Sequence, residues 1–229
     1  MLSIAHTVRR SSRARRARIQ VSPEGVEVVL PQSMPLSAAA PFVRSRQAWV
    51  ERTLERMRAA EARLPRPRLE DGGDVPLLGE RLPLRVRVGG GRVRSHVAMR
   101  GGGLHVAVAE PGPDAVRAAL EGWYRRQARI EVAQRLDAAV ARAGTAYARL
   151  QIRGQRTRWA SCSSKGAMCF NWRLLLAPAE ILDYVVEHEV AHIEVPDHSP
   201  RFWALLGSRC PGYREHEAWL RAHGHALRL

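Results

Sequence analysis

His188-Glu-Val-Ala-His192 sets two imidazoles four residues apart, with a carboxylate directly after the first. On a helix, His188 and His192 lie one turn apart and project from one face, so both can reach one tetrahedral cation. Glu189, three residues before His192, is close enough to touch water on that cation without ligating it. This is the geometry of a general base in metal-assisted hydrolysis. A catalytic zinc site normally takes three protein ligands and keeps one position open. His198 follows just past Val195-Pro196, where a helix must end and the chain can turn back, and it is assigned as the third ligand. Glu215, on a later helical stretch, competes for that place, while Glu194 on the same helix as His192 points away. Zn2+ is the expected cofactor.

Several elements must position these groups. Pro178 suits the first turn of a helix running through Ile181, Val185, His188 and His192 to about Glu194. Before it, Leu150-Gln-Ile152, Arg156 to Cys162 and Ala167 to Trp172 read as strands, with Ser163-Ser-Lys-Gly166 turning the chain. Ser199 to Leu206 and Tyr213 to about Ala222 read as helices. Upstream, Asp114 can cap a long helix that Gly144 stops after Ala143. Leu77-Leu-Gly79, Leu84 to Val88, Val93 to Met99 and Leu104 to Val108 read as hairpin strands, with turns at Gly89-Gly-Gly91 and Gly101-Gly-Gly103. At the start, Arg18 to Ser22 and Val26 to Leu30 form a hairpin about Pro23-Glu-Gly25. A helix capped by Ser37 then runs from Ala38 until Leu64-Pro-Arg-Pro67 breaks it. The expected class is α+β: an N-terminal β-rich region with one long helix over 1–110, then a zincin-like domain over 111–229.

The 229 residues are enough to bury a core without staples. Lys+Arg 37 against Asp+Glu 22 gives a formal charge of +15, and Lys165 is the only lysine. Arg9, Arg10, Arg13, Arg15, Arg16 and Arg18 form the densest cluster, either one solvated strand face or a flexible arm. Such a surface suits weak association with a polyanion such as nucleic acid. No aromatic residue is interleaved with it to stack on bases. No apolar run approaches the roughly 18 residues of a spanning helix, so no membrane partner is expected. Met1 to Val8 is too short and polar for a signal peptide, and Cys162, Cys169 and Cys210 are an odd number at no metal-ribbon spacing. A reduced, cytoplasmic protein of unspecified oligomeric state is expected.

Arg158-Trp-Ala-Ser-Cys-Ser-Ser-Lys-Gly166, Asn171-Trp-Arg-Leu-Leu-Leu-Ala-Pro178, Asp183 through His192 and His198-Ser-Pro-Arg-Phe-Trp203 together resemble the YgjP-like zinc metallopeptidase family, a group related to SprT-like and WLM metallopeptidases. The specific motifs lie within 156–203, and weaker likeness extends through the front half. Ala160 stands where the pattern has glycine, and Val190 where it has leucine. The resemblance implies zinc on His188, His192 and His198 with Glu189 as base, in agreement with the spacing.

The hairpin before the zinc helix is expected to wall the cleft, with Met168 to Trp172 as the strand that accepts an extended peptide. Asn171, Arg173, Arg158 and Tyr184 are candidate substrate or transition-state contacts, with Arg156 and Ser161 also near. Asp183 and Glu187 are candidates to orient the ligand histidines. Trp159, Trp172, Phe202 and Trp203 read as core. The expected reaction is hydrolysis of a peptide bond in a peptide or protein. A nucleoside triphosphate hydrolase and a basic nucleic-acid-binding module with a structural metal remain open alternatives, the latter disfavoured by an intact Glu189.

Overall fold

The computed structural model describes residues 4–22, 25–89, 95–155 and 157–229. The chain divides into two compact units, Met1–Pro65 with Ala222–Ala226, and Arg66–Arg221 with Leu227–Leu229. Helices and small sheets occur in both, so the α+β class holds. Pro23 and Glu24 of the first turn, Gly90 and Gly91 of the second, the strand start at Val93, and Arg156 lie outside the described residues.

In the first unit, β1 (His6–Ser11), β2 (Arg18–Ser22) and β3 (Gly25–Pro31) form a sheet in the order β1-β3-β2. The β2–β3 pair is antiparallel, as the alternation predicts. The arginine cluster begins inside a strand, because β1 carries Arg9 and Arg10 and pairs parallel to β3. Arg9 meets Glu27 across that pair at 3.0 Å, and Arg10 donates to the Met34 carbonyl at 3.1 Å. Val28 and Leu30 of β3 bury against Ala39 and Val43. The single helix expected from Ala38 is two helices, α1 (Ala39–Arg44) and α2 (Gln47–Arg63). Ser37 lies inside a preceding 3-10 turn rather than capping. The break falls where the Ser45 hydroxyl donates back to the Phe42 carbonyl and Arg46 leaves helical geometry at φ −120. A serine that satisfies backbone groups itself competes with helix continuation.

The second unit opens with β4 (Asp74–Leu77), β5 (Glu80–Val88), β6 (His96–Arg100) and β7 (Gly103–Val108), ordered β4-β5-β7-β6. Only the β6–β7 and β4–β5 pairs are hairpins. Contrary to the serial-hairpin expectation, β5 and β7 are parallel neighbours and β6 lies outside them. This order buries Leu84, Leu104 and Val106, the most apolar strand positions, in the centre. The long helix α3 (Pro113–Ala143) packs on β7 and on β8 (Arg149–Arg153) and ends at Gly144, whose φ of 63 permits the left-handed stop. Gly112 occupies its N-cap, and Asp114 pairs instead with Arg117. Tyr124, buried on α3, donates its hydroxyl to the Pro76 carbonyl and so fastens α3 to β4.

A second sheet comprises β8 (Arg149–Arg153), β9 (Ala160–Cys162) and β10 (Ala167–Asn171), ordered β8-β10-β9. Because β10 is central, its backbone is paired on both sides, parallel to β8 and antiparallel to β9. The strand expected to accept a peptide, Met168 to Trp172, therefore has no free edge. Trp172 has already left the sheet for a 3-10 helix, Trp172–Leu176. That turn delivers the chain to α4 (Ala179–Glu194), which packs on α3 and β9. Pro178 is its N-cap. Then come α5 (Pro200–Arg209) and α6 (Tyr213–His223). No helix among the described residues is long and apolar enough to cross a membrane.

Candidate active site

Helix α4 is apolar on the side that faces the core: Ile181, Leu182, Val185, Val186 and Val190 are all buried. That burial leaves Tyr184, His188 and His192, at spacings of four, as a stripe on another face. The helix ends at Glu194, and Val195 is already extended at ψ 98. Asp197 accepts the Ser199 backbone N–H at 3.1 Å, and the turn this makes carries His198 back over the stripe. His188, His192 and His198 each offer a ring nitrogen within 4.8 Å of the other two. The His188 and His198 Nε2 atoms are 3.1 Å apart. Nδ1 of His192 lies 3.1 Å from the Val195 carbonyl, which fixes that nitrogen as the donor and leaves Nε2 to face the other rings.

The electrostatics suit a cation. Burial, then its two histidine neighbours, pushes His188 down to about 4. Burial lowers His192 as well. Both are therefore neutral imidazoles at neutral pH, the form that ligates metal. Three imidazoles with converging ring nitrogens, His188 and His192 among them held neutral, fit a divalent metal. Phe202, fully buried on α5, lies under all three rings at centroid distances of 4.5 to 5.0 Å. It is core, as the sequence predicts, and it is also the floor of this group.

Glu189, the α4 residue between His188 and His192 in sequence, is 6% exposed and lies against β9. Ser163 N–H bonds the Ala167 carbonyl and Asn171 N–H bonds the Trp159 carbonyl, so the odd-numbered residues of β9 pair inward with β10. The even-numbered ones face out, and the Cys162 N–H donates to the Glu189 carboxylate. Among the described residues Oε2 of Glu189 has no hydrogen-bond partner. Burial pushes this carboxyl up to about 7, opposed by the Cys162 hydrogen bond and by Arg158. A carboxyl held near neutrality by burial, on the helix that carries two of the three histidines, suits proton transfer.

Arg158 is exposed and close enough to Glu189 to favour its ionised form. The Tyr184 ring lies 5.9 Å from His188 and 6.1 Å from His216, with burial pushing its hydroxyl up to about 12. Asn171 does not face a cleft. It is 2% exposed, donating through Nδ2 to the Gln155 and Arg158 carbonyls at 2.8 and 3.2 Å and accepting the Arg173 N–H at 3.2 Å. It holds the Gln155 and Arg158 carbonyls rather than a substrate. Asn171→Ala orphans two carbonyls and is expected to lower unfolding free energy by about 2–3 kcal/mol in a urea titration. The Arg173 guanidinium lies 4.6 Å over the Trp172 ring. Gly154 makes room there, since a Cβ would meet Arg125, Trp172 and Arg173 nitrogens at 2.8 to 3.3 Å.

Asp183 and Glu187 do not orient the histidines. Asp183 accepts from Arg135 of α3 at 2.7 Å and Glu187 from Arg142 of α3 at 2.5 Å. Nδ1 of His188 is buried without a hydrogen-bond partner among the described residues. The reason is helical phase: residues one and five before His188 lie off its stripe, toward α3. Glu194 likewise pairs with Arg209 at 2.6 Å, and Glu215 is absent from the histidine group. The three cysteines are free, with burial raising each thiol. Cys162 pairs in register with Met168 and Cys169 with Ser161, so the two point to opposite faces and are not drawn together.

A model of the YgjP-like metallopeptidase domain matches residues 15–223. The chain belongs to the YgjP-like metallopeptidase family. It is thereby a hydrolase of the metallopeptidase class, as the motif resemblance predicted. The crystal structure of the metallopeptidase zymogen abylysin of Pyrococcus abyssi is similar at 27% identity, over 42% of this chain and 96% of that one, with a TM-score of 0.37. Among curated proteins none matches significantly. The YgjP-like match takes in every residue of the histidine group, Glu189 and the β8–β10–β9 sheet.

Proposed function

We propose that this YgjP-like chain is a zinc metallopeptidase cleaving a peptide or protein substrate, with His188, His192 and His198 holding Zn2+ and Glu189 as general base. The observation that carries the reading is the juxtaposition on α4. Three imidazoles converge to within 4.8 Å, and Glu189, the residue after His188, presents a buried carboxylate oxygen with no partner among the described residues. A site that only braced structure would have no use for that oxygen. The chemistry lies within 111–229, the zincin-like portion.

When bound, zinc supplies a Lewis acid that makes water acidic near neutral pH and polarises a carbonyl oxygen. The remaining steps belong to the chain's own residues. Oε2 of Glu189 accepts the water proton as the water oxygen bonds to the carbonyl carbon. The Cys162 N–H holds the carboxylate in place during that transfer. Glu189 then returns the proton to the amide nitrogen as the C–N bond breaks, so base and acid are one group at two stages. Arg158 biases Glu189 toward the ionised state that begins the cycle, and the Tyr184 hydroxyl, one turn before His188, is the candidate donor to the developing oxyanion.

The test pairs zinc-loaded protein with two substrates, an unfolded protein and a nucleoside triphosphate, using Glu189→Gln as control. Cleavage of the unfolded protein that the substitution removes is the expected result. Triphosphate turnover removed by the same substitution, with no peptide cleavage, overturns the substrate and keeps the site.

A further inference from the structure

Two of the three histidines are held by secondary structure, and the third is not. His188 and His192 stand on α4 with fixed spacing, whereas His198 is exposed, on a turn after the helix has ended. An imidazole there has two rotatable side-chain bonds, and only contacts to its ring can hold it in register with the other two. Those contacts form a stack. The His198 ring lies on the Trp203 indole, with centroids 5.6 Å apart and planes 28° apart. Trp203 lies in turn on Tyr213, at 5.5 Å and 21°. Arg214 closes the far end, with its guanidinium carbon 5.7 Å from the Tyr213 ring centre and its Nε donating to the Tyr213 hydroxyl at 3.1 Å. Phe202 meets His198 edge-on at 4.8 Å from the other direction.

We infer that Trp203 is a positioning residue for metal binding: held from behind by Tyr213 and Arg214, it presses His198 into the orientation in which it completes the triad. The inference rests on the zinc reading above and adds to it the residue that preorganises the third ligand. A ligand on an exposed turn must lose its ring freedom when it coordinates, and a stacked indole removes that freedom beforehand. Hydrogen bonding does this for most ligating histidines. His192 has such a partner in the Val195 carbonyl, and for His198 the Trp203 indole supplies the orienting contact. Trp203 is half-buried and at the edge of α5, so its replacement leaves Phe202 and Leu206 to hold the helix.

The test measures zinc affinity by chelator competition and the visible absorption of the cobalt(II)-loaded protein, both independent of turnover. Trp203→Leu is expected to weaken zinc by about 10–100-fold. Its cobalt band should be dimmed, as a four-coordinate site loses a nitrogen and gains solvent. Trp203→Phe, which keeps a ring, should recover most of the affinity and the band, and Tyr213→Ala should show an intermediate loss. Circular dichroism checks that each variant is folded. Unchanged affinity and spectrum in Trp203→Leu, in a wild type that binds one zinc, overturn the positioning role and leave the site intact. An equal loss in Trp203→Phe and Trp203→Leu overturns it too, because stacking would not be the cause. A wild type that binds no zinc removes the site itself and this inference with it.

Discussion

Glu189→Gln is expected to cut peptide cleavage by about 10²–10⁴-fold while zinc remains bound at one per chain. The amide keeps the shape of the carboxyl and one acceptor for the Cys162 N–H but cannot take a proton from water. The same substitution carries a stability signature of opposite sign. Glu189 has its folded pKa raised from 4.5 to about 7, chiefly by burial. The stability it contributes is complete below 4.5 and is lost as pH rises through about 7, where the buried carboxyl must ionise. Metal-free Glu189→Gln should therefore match the parent near pH 4.5. It should exceed the parent by about 3 kcal/mol at pH 8.5, the free-energy equivalent of that shift. His188 titrates in both proteins. Its pKa is depressed to about 4, so its contribution is present above 6.5 and is lost as pH falls toward 4, and it cancels in the comparison. Urea denaturation of chelated protein at the two pH values is the measurement. An active variant removes Glu189 from the role of base, and one no more stable than the parent at pH 8.5 overturns the raised carboxyl.

His188→Ala and His192→Ala should each abolish stoichiometric zinc, and His198→Ala should weaken it by more than about 100-fold, beyond what an outer contact is worth. Glu215→Ala should leave affinity unchanged. The ordering follows from geometry: the three imidazoles offer nitrogens within 4.8 Å of one another, and Glu215 has no atom in that group. Removing a ligand also opens the floor at Phe202, so zinc content is to be read with thermal unfolding. Full zinc occupancy in His188→Ala or His192→Ala sinks the site. A larger loss in Glu215→Ala than in His198→Ala moves the third ligand to α6.

The histidine-to-phenylalanine run was legible in part. Phe202 follows His198 by four residues, and its aromatic neighbour Trp203 is adjacent, a pattern that on a helix beginning at Pro200 puts rings beside the His198 turn. That signal points to packing around a ligand, and it reads as plain core only if the turn is ignored. The stack on Tyr213 was not legible, since it joins α5 to α6 across a connection whose course no local pattern dictates.

The sequence by itself determined what depends on neighbours within a few residues. The 3.6-residue repeat of α4 sets His188 one turn from His192, with Glu189 on the turn between them. Pro178 marks the start of that helix, and Gly144 the stop of α3. Val195-Pro196 forces the turn that returns His198. Only the tertiary structure decided the partners. Strand order made β10 central and left β9, with its Cys162 N–H, beside Glu189. The approach of α3 drew Asp183 and Glu187 to arginines, and the loop over β10 enclosed Asn171. Helical phase is a property of adjacent backbone bonds. A carboxylate or an amide, by contrast, takes whichever long-range partner the packed chain brings to it, and a one-residue change of register or one more strand at the edge would have chosen another.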